Sequence, residues 1–124
     1  MELIIGGAYQ GKTEYASGLF GITSLHTCAE DADVLDFSHA AICHIERFCL
    51  ACVRSGKSAR AYFEENRDQW QDKVLIADDI SCGVVPMDAE MRAWREETGR
   101  LLAYLAGEAA RVHRVFLGIG QVIK

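Results

Sequence analysis

A glycine-rich segment near the start of the chain has the residue types that bind phosphate. Its eight residues are Gly6, Gly7, Ala8, Tyr9, Gln10, Gly11, Lys12 and Thr13. Glycines let the backbone curl so that successive N–H groups point towards phosphate oxygens, and a helix beginning at Lys12 would add its positive end. In a Gly-x-x-x-x-Gly-Lys-Thr pattern the lysine reaches the β- and γ-phosphates and the threonine hydroxyl ligates Mg²⁺. The segment therefore predicts a binding site for ATP or GTP, with an ordinary glycine-rich turn as the alternative.

A second acidic group is expected to hold Mg²⁺, or one of its water ligands, in such a site. Two positions fit, because each follows a short apolar stretch that is typical of a strand. Asp36 follows residues 34–35, whereas Asp78 and Asp79 follow residues 74–77. An ordinary loop aspartate or helix cap is the alternative at either position, and these patterns alone leave the choice open.

Apolar stretches that alternate with amphipathic segments indicate how these residues would be positioned. Strands are predicted over residues 2–5, 22–27, 34–37, 73–77, 115–117 and 121–124, and helices over residues 12–20, 38–54, 59–70 and from 88 onward. In the helix predicted over 38–54, Ile42, Ile45 and Cys49 fall on one face. Strands that alternate with helices predict one α/β domain covering residues 1–124, a layered sandwich around a mainly parallel sheet.

The composition limits the class of protein and its partners. Half of the 124 residues are hydrophobic, which allows a core, and the net charge of −5 argues against nucleic acid or anionic lipid as a partner. No apolar run approaches the roughly 20 residues that span a membrane, and no secretory signal is recognisable. Five cysteines, an odd number, then favour reduced thiols and a cytoplasmic protein. Cys49 and Cys52 form a Cys-x-x-Cys pair on an apolar helix face, which favours core packing over metal or redox chemistry.

Two separated parts of the chain resemble one known enzyme family. The first is the N-terminal strand with its glycine-rich segment, where the family has Gly-Gly-Ala-Arg-Ser-Gly-Lys-Ser. The matching residues of the second part are Gly83, Val84, Val85, Pro86, Gly99 and Arg100, with Gly118, Ile119 and Lys124 at the close. On these residues the sequence resembles adenosylcobinamide kinase/adenosylcobinamide-phosphate guanylyltransferase.

The resemblance implies a three-layer, RecA-like P-loop NTPase fold, a role in cobalamin biosynthesis or salvage, and a homotrimer. Members of that family phosphorylate adenosylcobinamide, a corrinoid, with ATP or GTP, and then transfer GMP through a guanylylated histidine. Carried over to this chain, Lys12 and Asp36 would be catalytic, and Thr13 and Asp36 would hold Mg²⁺. Asp79 matches the glutamate of the family's Asn-Glu-Val-Gly stretch and would be a further residue of the metal site.

This chain is shorter than the family in the stretch before Asp36, where family members carry the guanylylated histidine. None of His26, His39 and His44 aligns with that histidine. The resemblance therefore implies the kinase step more than guanylyl transfer. If catalysis has been lost together with that stretch, the chain would instead be a regulatory nucleotide-binding module.

Overall fold

The computed structural model describes residues 1–80 and 88–124. Its strands are β1 (Glu2–Gly6), β2 (Leu25–Thr27), β3 (Ala41–Cys43), β4 (Val74–Asp78), β5 (Arg111–Phe116) and β6 (Ile119–Val122). Its helices are α1 (Lys12–Phe20), α2 (Ile45–Ser55), α3 (Ala59–Glu65), α4 (Arg67–Trp70) and α5 (Ala89–Glu108).

The strands form one sheet in the order β2-β3-β4-β1-β5-β6. Neighbouring strands are parallel, except that β5 and β6 form an antiparallel pair at one edge. β1 is interior, paired with β4 on one side and β5 on the other. This confirms the predicted α/β class with a mainly parallel sheet. In such a sheet, ligands bind beyond the carboxyl ends of the strands.

Helices cover both faces of the sheet. Successive residues of each strand point to opposite sides, so the strands contribute buried apolar side chains to both faces. Leu3 and Leu75 are fully buried in a cluster with side chains of α2, α3 and α5. Ile4 and Ile76 face the other way and share a second buried cluster with Ala16 of α1. The architecture is compatible with a three-layer sandwich, with α1 and α5 on opposite sides of β1.

The prediction of a strand over residues 34–37 is wrong, and the helix predicted over 38–54 is confirmed only in its second part, which is α2. Residues 34–37 contain no strand, and the strand in this region is β3, which is followed by α2 from Ile45. All three residues of β3 are buried, because β3 lies inside the sheet between β2 and β4. Ile42 therefore belongs to a strand and not to the apolar face of a helix.

Other predicted elements hold with changed bounds. The helix predicted over 59–70 is broken at Asn66 into α3 and α4. The long helix begins as expected after Asp88, whose side chain accepts hydrogen bonds from the N–H groups of Glu90 and Met91. Met91, in the first turn of this helix, is 38% exposed.

The segment 81–87 lies outside the described residues, and with it the Gly83-Val84-Val85-Pro86 stretch of the family resemblance. None of the helices in the described part of the chain is long and apolar enough to cross a membrane.

Candidate functional site

The glycine-rich loop, residues 6–13, joins the end of β1 to the start of α1. Gly6 must lack a side chain, because a Cβ there would lie 2.5 Å from the backbone oxygen of Val115. Gly11 has φ +81°, a left-handed conformation that favours glycine, and it immediately precedes the first residue of α1. Tyr9 also has a positive φ, +60°, and its side chain is fully exposed. The loop thus has the tight turn that the glycine pattern predicts.

Gln10 anchors this loop to the turn between β5 and β6. Its backbone oxygen accepts a hydrogen bond from Gly118 N at 2.8 Å. Its side-chain Oε1 accepts one from Leu117 N, also at 2.8 Å. The Gln10 side chain therefore stabilises the loop by holding it against the turn between β5 and β6.

Lys12 lies in the first turn of α1 with only 7% of its side chain exposed. Its ammonium donates a hydrogen bond to Gly7 O at 2.7 Å and lies 2.6 Å from Oδ1 of Asp78. A buried ammonium requires such a counter-ion, because removing a charge from water is costly. Asp78 ends β4, next to the loop, so the pairing of β1 with β4 brings the two charges together.

A second acidic side chain, Glu46, supports Asp78 from the first turn of α2. Glu46 is 4% exposed, and its Oε1 accepts a hydrogen bond from Asp78 N at 2.8 Å. Its Oε2 lies 3.2 Å from Nδ1 of His44. Trp94 of α5 donates its indole N–H to the backbone oxygen of Glu46 at 2.6 Å, which ties this turn to the long helix.

His44 makes the turn from β3 into α2. Its φ of +56° is left-handed, and it occupies the position before the first residue of α2. The side chain is 34% exposed, so one side of the imidazole faces open space while the other faces Glu46. The conformation is uncommon for a residue with a Cβ, although histidine tolerates it better than most.

The loop, Lys12, His44 and Asp78 line one cavity of about 270 Å³, close to the lower limit of small-molecule sites, and Glu46 supports it from behind His44 and Asp78. Its lining residues are Ala8, Tyr9, Gln10, Gly11, Lys12, Thr13, Cys43, His44, Arg47, Ile76 and Asp78. Lys12, Arg47 and the N-terminal end of α1 supply positive charge for an anion. The Thr13 hydroxyl and the Asp78 carboxylate are oxygen donors of the kind that Mg²⁺ prefers, so the donor set fits such a cation.

Most residues predicted for the site lie together, but two predicted acids do not line this cavity. Asp36 is 53% exposed in the loop before β3, where its carboxylate accepts hydrogen bonds from Ser38. Those bonds lower the pKa of Asp36. Asp79 lines a different cavity together with Thr98, and its backbone N–H donates to Gly6 O at 2.8 Å. The aspartate that meets Lys12 is Asp78, the other member of the Asp78-Asp79 pair.

Three residues of the site were missed by sequence reasoning, namely His44, Glu46 and Arg47. All three follow β3, and a helix predicted across this region concealed the end of the strand. The available signal was the position of polar residues directly after the apolar stretch of residues 40–43, which resembles the pattern at residues 74–79.

The cysteines of the described chain belong to the interior. Cys28, Cys43, Cys49 and Cys52 are all buried and free. Burial raises the pKa of the Cys28 and Cys52 thiols to about 12. Such thiols are poor nucleophiles and poor metal ligands, in keeping with the expected core packing of Cys49 and Cys52.

No protein-family model and no curated protein matched this sequence. The interpretation of the site therefore depends on its geometry and on the residues that form it.

Proposed function

We propose that this chain is a P-loop phosphotransferase with a RecA-like fold, which binds ATP or GTP in the cavity at residues 6–13. The observation that carries the proposal is the buried Lys12 ammonium, held between a loop carbonyl and Asp78 at the N-terminal end of α1. A lysine at this place in a glycine-rich loop is the group that meets the β- and γ-phosphates of a nucleotide.

Binding of the triphosphate exchanges one counter-ion of Lys12 for another. In the described state Asp78 compensates the lysine, whereas in the complex the phosphate oxygens do so. The backbone N–H groups of the loop and the positive end of α1 orient the phosphates. Arg47, which lines the same cavity and is 42% exposed, supplies a further cation for the phosphates.

Catalysis by such a site is mainly positioning and electrostatic stabilisation. Lys12 stabilises the negative charge of the phosphoryl group as it moves to an acceptor hydroxyl. A divalent cation such as Mg²⁺ supplies further positive charge when bound, and the oxygens of Thr13 and Asp78 are the donors that would hold it. Asp78 takes this part in place of Asp36, because Asp78 lies beside Lys12.

The acceptor that the family resemblance supports is the aminopropanol hydroxyl of adenosylcobinamide. The test is transfer of radiolabel from the γ-phosphate of ATP or GTP to adenosylcobinamide by the purified protein. Lys12→Ala should lower transfer by a factor on the order of 100 or more, the usual effect of removing one group that stabilises the transition state. Asp78→Asn should also reduce transfer, whereas Asp36→Asn should leave it near the wild-type rate.

Undiminished transfer by Lys12→Ala would overturn the mechanism. Tight nucleotide binding without transfer to any corrinoid would overturn the assignment as a kinase and favour a regulatory nucleotide-binding module.

A further inference from the structure

The cavity beside Lys12 contains a nitrogen donor as well as oxygen donors. One ligand atom each from His44, Glu46 and Asp78 lies within 4.8 Å of the other two. They come from three backbone positions that the fold brings together, namely the turn after β3, the first turn of α2 and the end of β4. The group is therefore a mixed cluster of one imidazole and two carboxylates at the edge of the proposed phosphate site.

Two features distinguish this cluster from an ordinary group of surface acids. The side chain of Glu46 is only 4% exposed, and its two carboxylate oxygens face Asp78 N and His44 Nδ1. His44 has a left-handed backbone conformation just before α2 and is among the residues that line the cavity beside Lys12. The position of each donor is thus fixed by packing and hydrogen bonds.

We propose that His44, Glu46 and Asp78 bind a first-row transition-metal divalent cation, such as Mn²⁺, in preference to Mg²⁺. Imidazole nitrogen favours transition metals, whereas Mg²⁺ selects sites made of oxygen donors and water. This site rests on the proposed function in one respect, since the cation would serve the nucleotide bound in the same cavity. It goes beyond that function by naming the class of cation.

Lys12 is a competitor for the same site, because its ammonium lies 2.6 Å from Oδ1 of Asp78. While Lys12 is paired with Oδ1, a cation has the other carboxylate oxygen of Asp78 available, and the counter-ion exchange proposed for phosphate binding would free Oδ1 as well. Removal of Lys12 should therefore strengthen metal binding while it weakens nucleotide binding. These opposite effects separate the metal site from the nucleotide site.

The test is a titration of the whole protein with Mn²⁺ in the absence of nucleotide. The electron paramagnetic resonance signal of free Mn²⁺ measures how much of the ion is bound. Wild-type protein should bind one Mn²⁺, and His44→Ala should weaken binding by about tenfold or more, as loss of a ligand does. His39→Ala is a matched control, because that imidazole is also 34% exposed and also lies beside a carboxylate, 3.3 Å from Asp36. It should bind Mn²⁺ as the wild type does, and Mg²⁺ at equal concentration should not displace the ion.

Lys12→Ala should bind Mn²⁺ more tightly than the wild type. Circular dichroism verifies that each variant is folded, and Glu46→Gln, which retains the size of the side chain, provides a second ligand variant. Absence of saturable Mn²⁺ binding, equal effects of His44→Ala and His39→Ala, or displacement by equimolar Mg²⁺ would each overturn the proposal. Nucleotide affinity measured in the presence of EDTA tests the proposed function separately.

Discussion

Replacing Glu46 by alanine tests whether this buried carboxylate holds the end of β4 in place. In the wild type, Oε1 of Glu46 accepts the hydrogen bond of Asp78 N at 2.8 Å, and the side chain is only 4% exposed. In Glu46→Ala the Asp78 N–H loses this acceptor, which is part of a partly buried hydrogen bond. The loss of the partner, and not the smaller side chain alone, is expected to dominate the change in stability.

The magnitude follows from the burial of the hydrogen bond. Leaving a buried donor unpaired costs about 1–3 kcal/mol, so Glu46→Ala should lower the free energy of unfolding by about 2 kcal/mol. In a domain of this size that corresponds to a melting temperature lower by roughly 8 °C. Glu46→Gln retains an amide oxygen that can accept the same bond, so its loss should stay below about 1 kcal/mol.

Urea unfolding monitored by tryptophan fluorescence gives the free energy of unfolding of both variants. Trp70 is a suitable reporter, because it is 1% exposed and its indole N–H donates to Phe63 O at 2.8 Å. Equal stabilities of Glu46→Ala and Glu46→Gln would refute the reasoning, since the hydrogen bond would then contribute nothing that the two variants do not share.

Three further predictions concern Tyr15 and the buried cysteines. Tyr15→Phe removes the hydroxyl that lies 2.9 Å from Nδ1 of the buried His113, and should cost about 1–2 kcal/mol in urea unfolding. Tyr9→Phe, at a fully exposed tyrosine, should change stability by less than about 0.5 kcal/mol. Equal losses of stability in Tyr15→Phe and Tyr9→Phe would contradict a contribution from the Tyr15 hydroxyl. Burial raises the pKa of Cys28 to about 12, so stability should fall as the pH rises above about 8.5, where the unfolded thiol loses its proton and the folded one does not. In a Cys82→Ser variant the four remaining thiols, all buried, should react with Ellman's reagent at pH 8 only after denaturation, and rapid labelling of the native protein would contradict their burial.

The parts of the fold that could be predicted have strong local signals. The predicted bounds of β1, α1 and β4 agree with the structure to within about one residue. The apolar run of β1 ends in the glycines that precede α1, and the apolar run of β4 ends in two aspartates. The same signals gave the loop and Lys12. Where the apolar pattern determined the type of each element, it also determined where the glycine-rich loop lies in the fold.

The region before α2 could not be predicted, for a physical reason that lies in one residue. A strand that turns directly into a helix usually requires a glycine, asparagine or aspartate at the left-handed position, but here that residue is His44. With no such signal, the apolar residues of β3 and α2 formed a plausible helical face. The helix predicted over 38–54 concealed the end of β3 and with it Glu46, while the strand predicted over 34–37 favoured Asp36 as the acid.

The choice between Asp78 and Asp79 depends on the pleat of β4. Neighbouring residues of a strand point to opposite faces, so only one of the two aspartates can face α1 and Lys12. The sequence does not reveal which face α1 covers, whereas the fold places Asp78 beside Lys12 and Asp79 in the cavity with Thr98.

The central claim, that residues 6–13 bind a nucleoside triphosphate, is tested most directly by a thermal-shift titration with ATP and GTP. Binding should stabilise the wild type by RT ln(1 + [L]/Kd), about 2.7 kcal/mol at a hundredfold excess over Kd. Lys12→Ala should lose this nucleotide-dependent shift. Lys57→Ala, at a lysine whose ammonium lies 2.7 Å from Asp33 outside the loop, should retain it. Equal shifts in both variants, or no shift in the wild-type protein with either nucleotide, would contradict the claim.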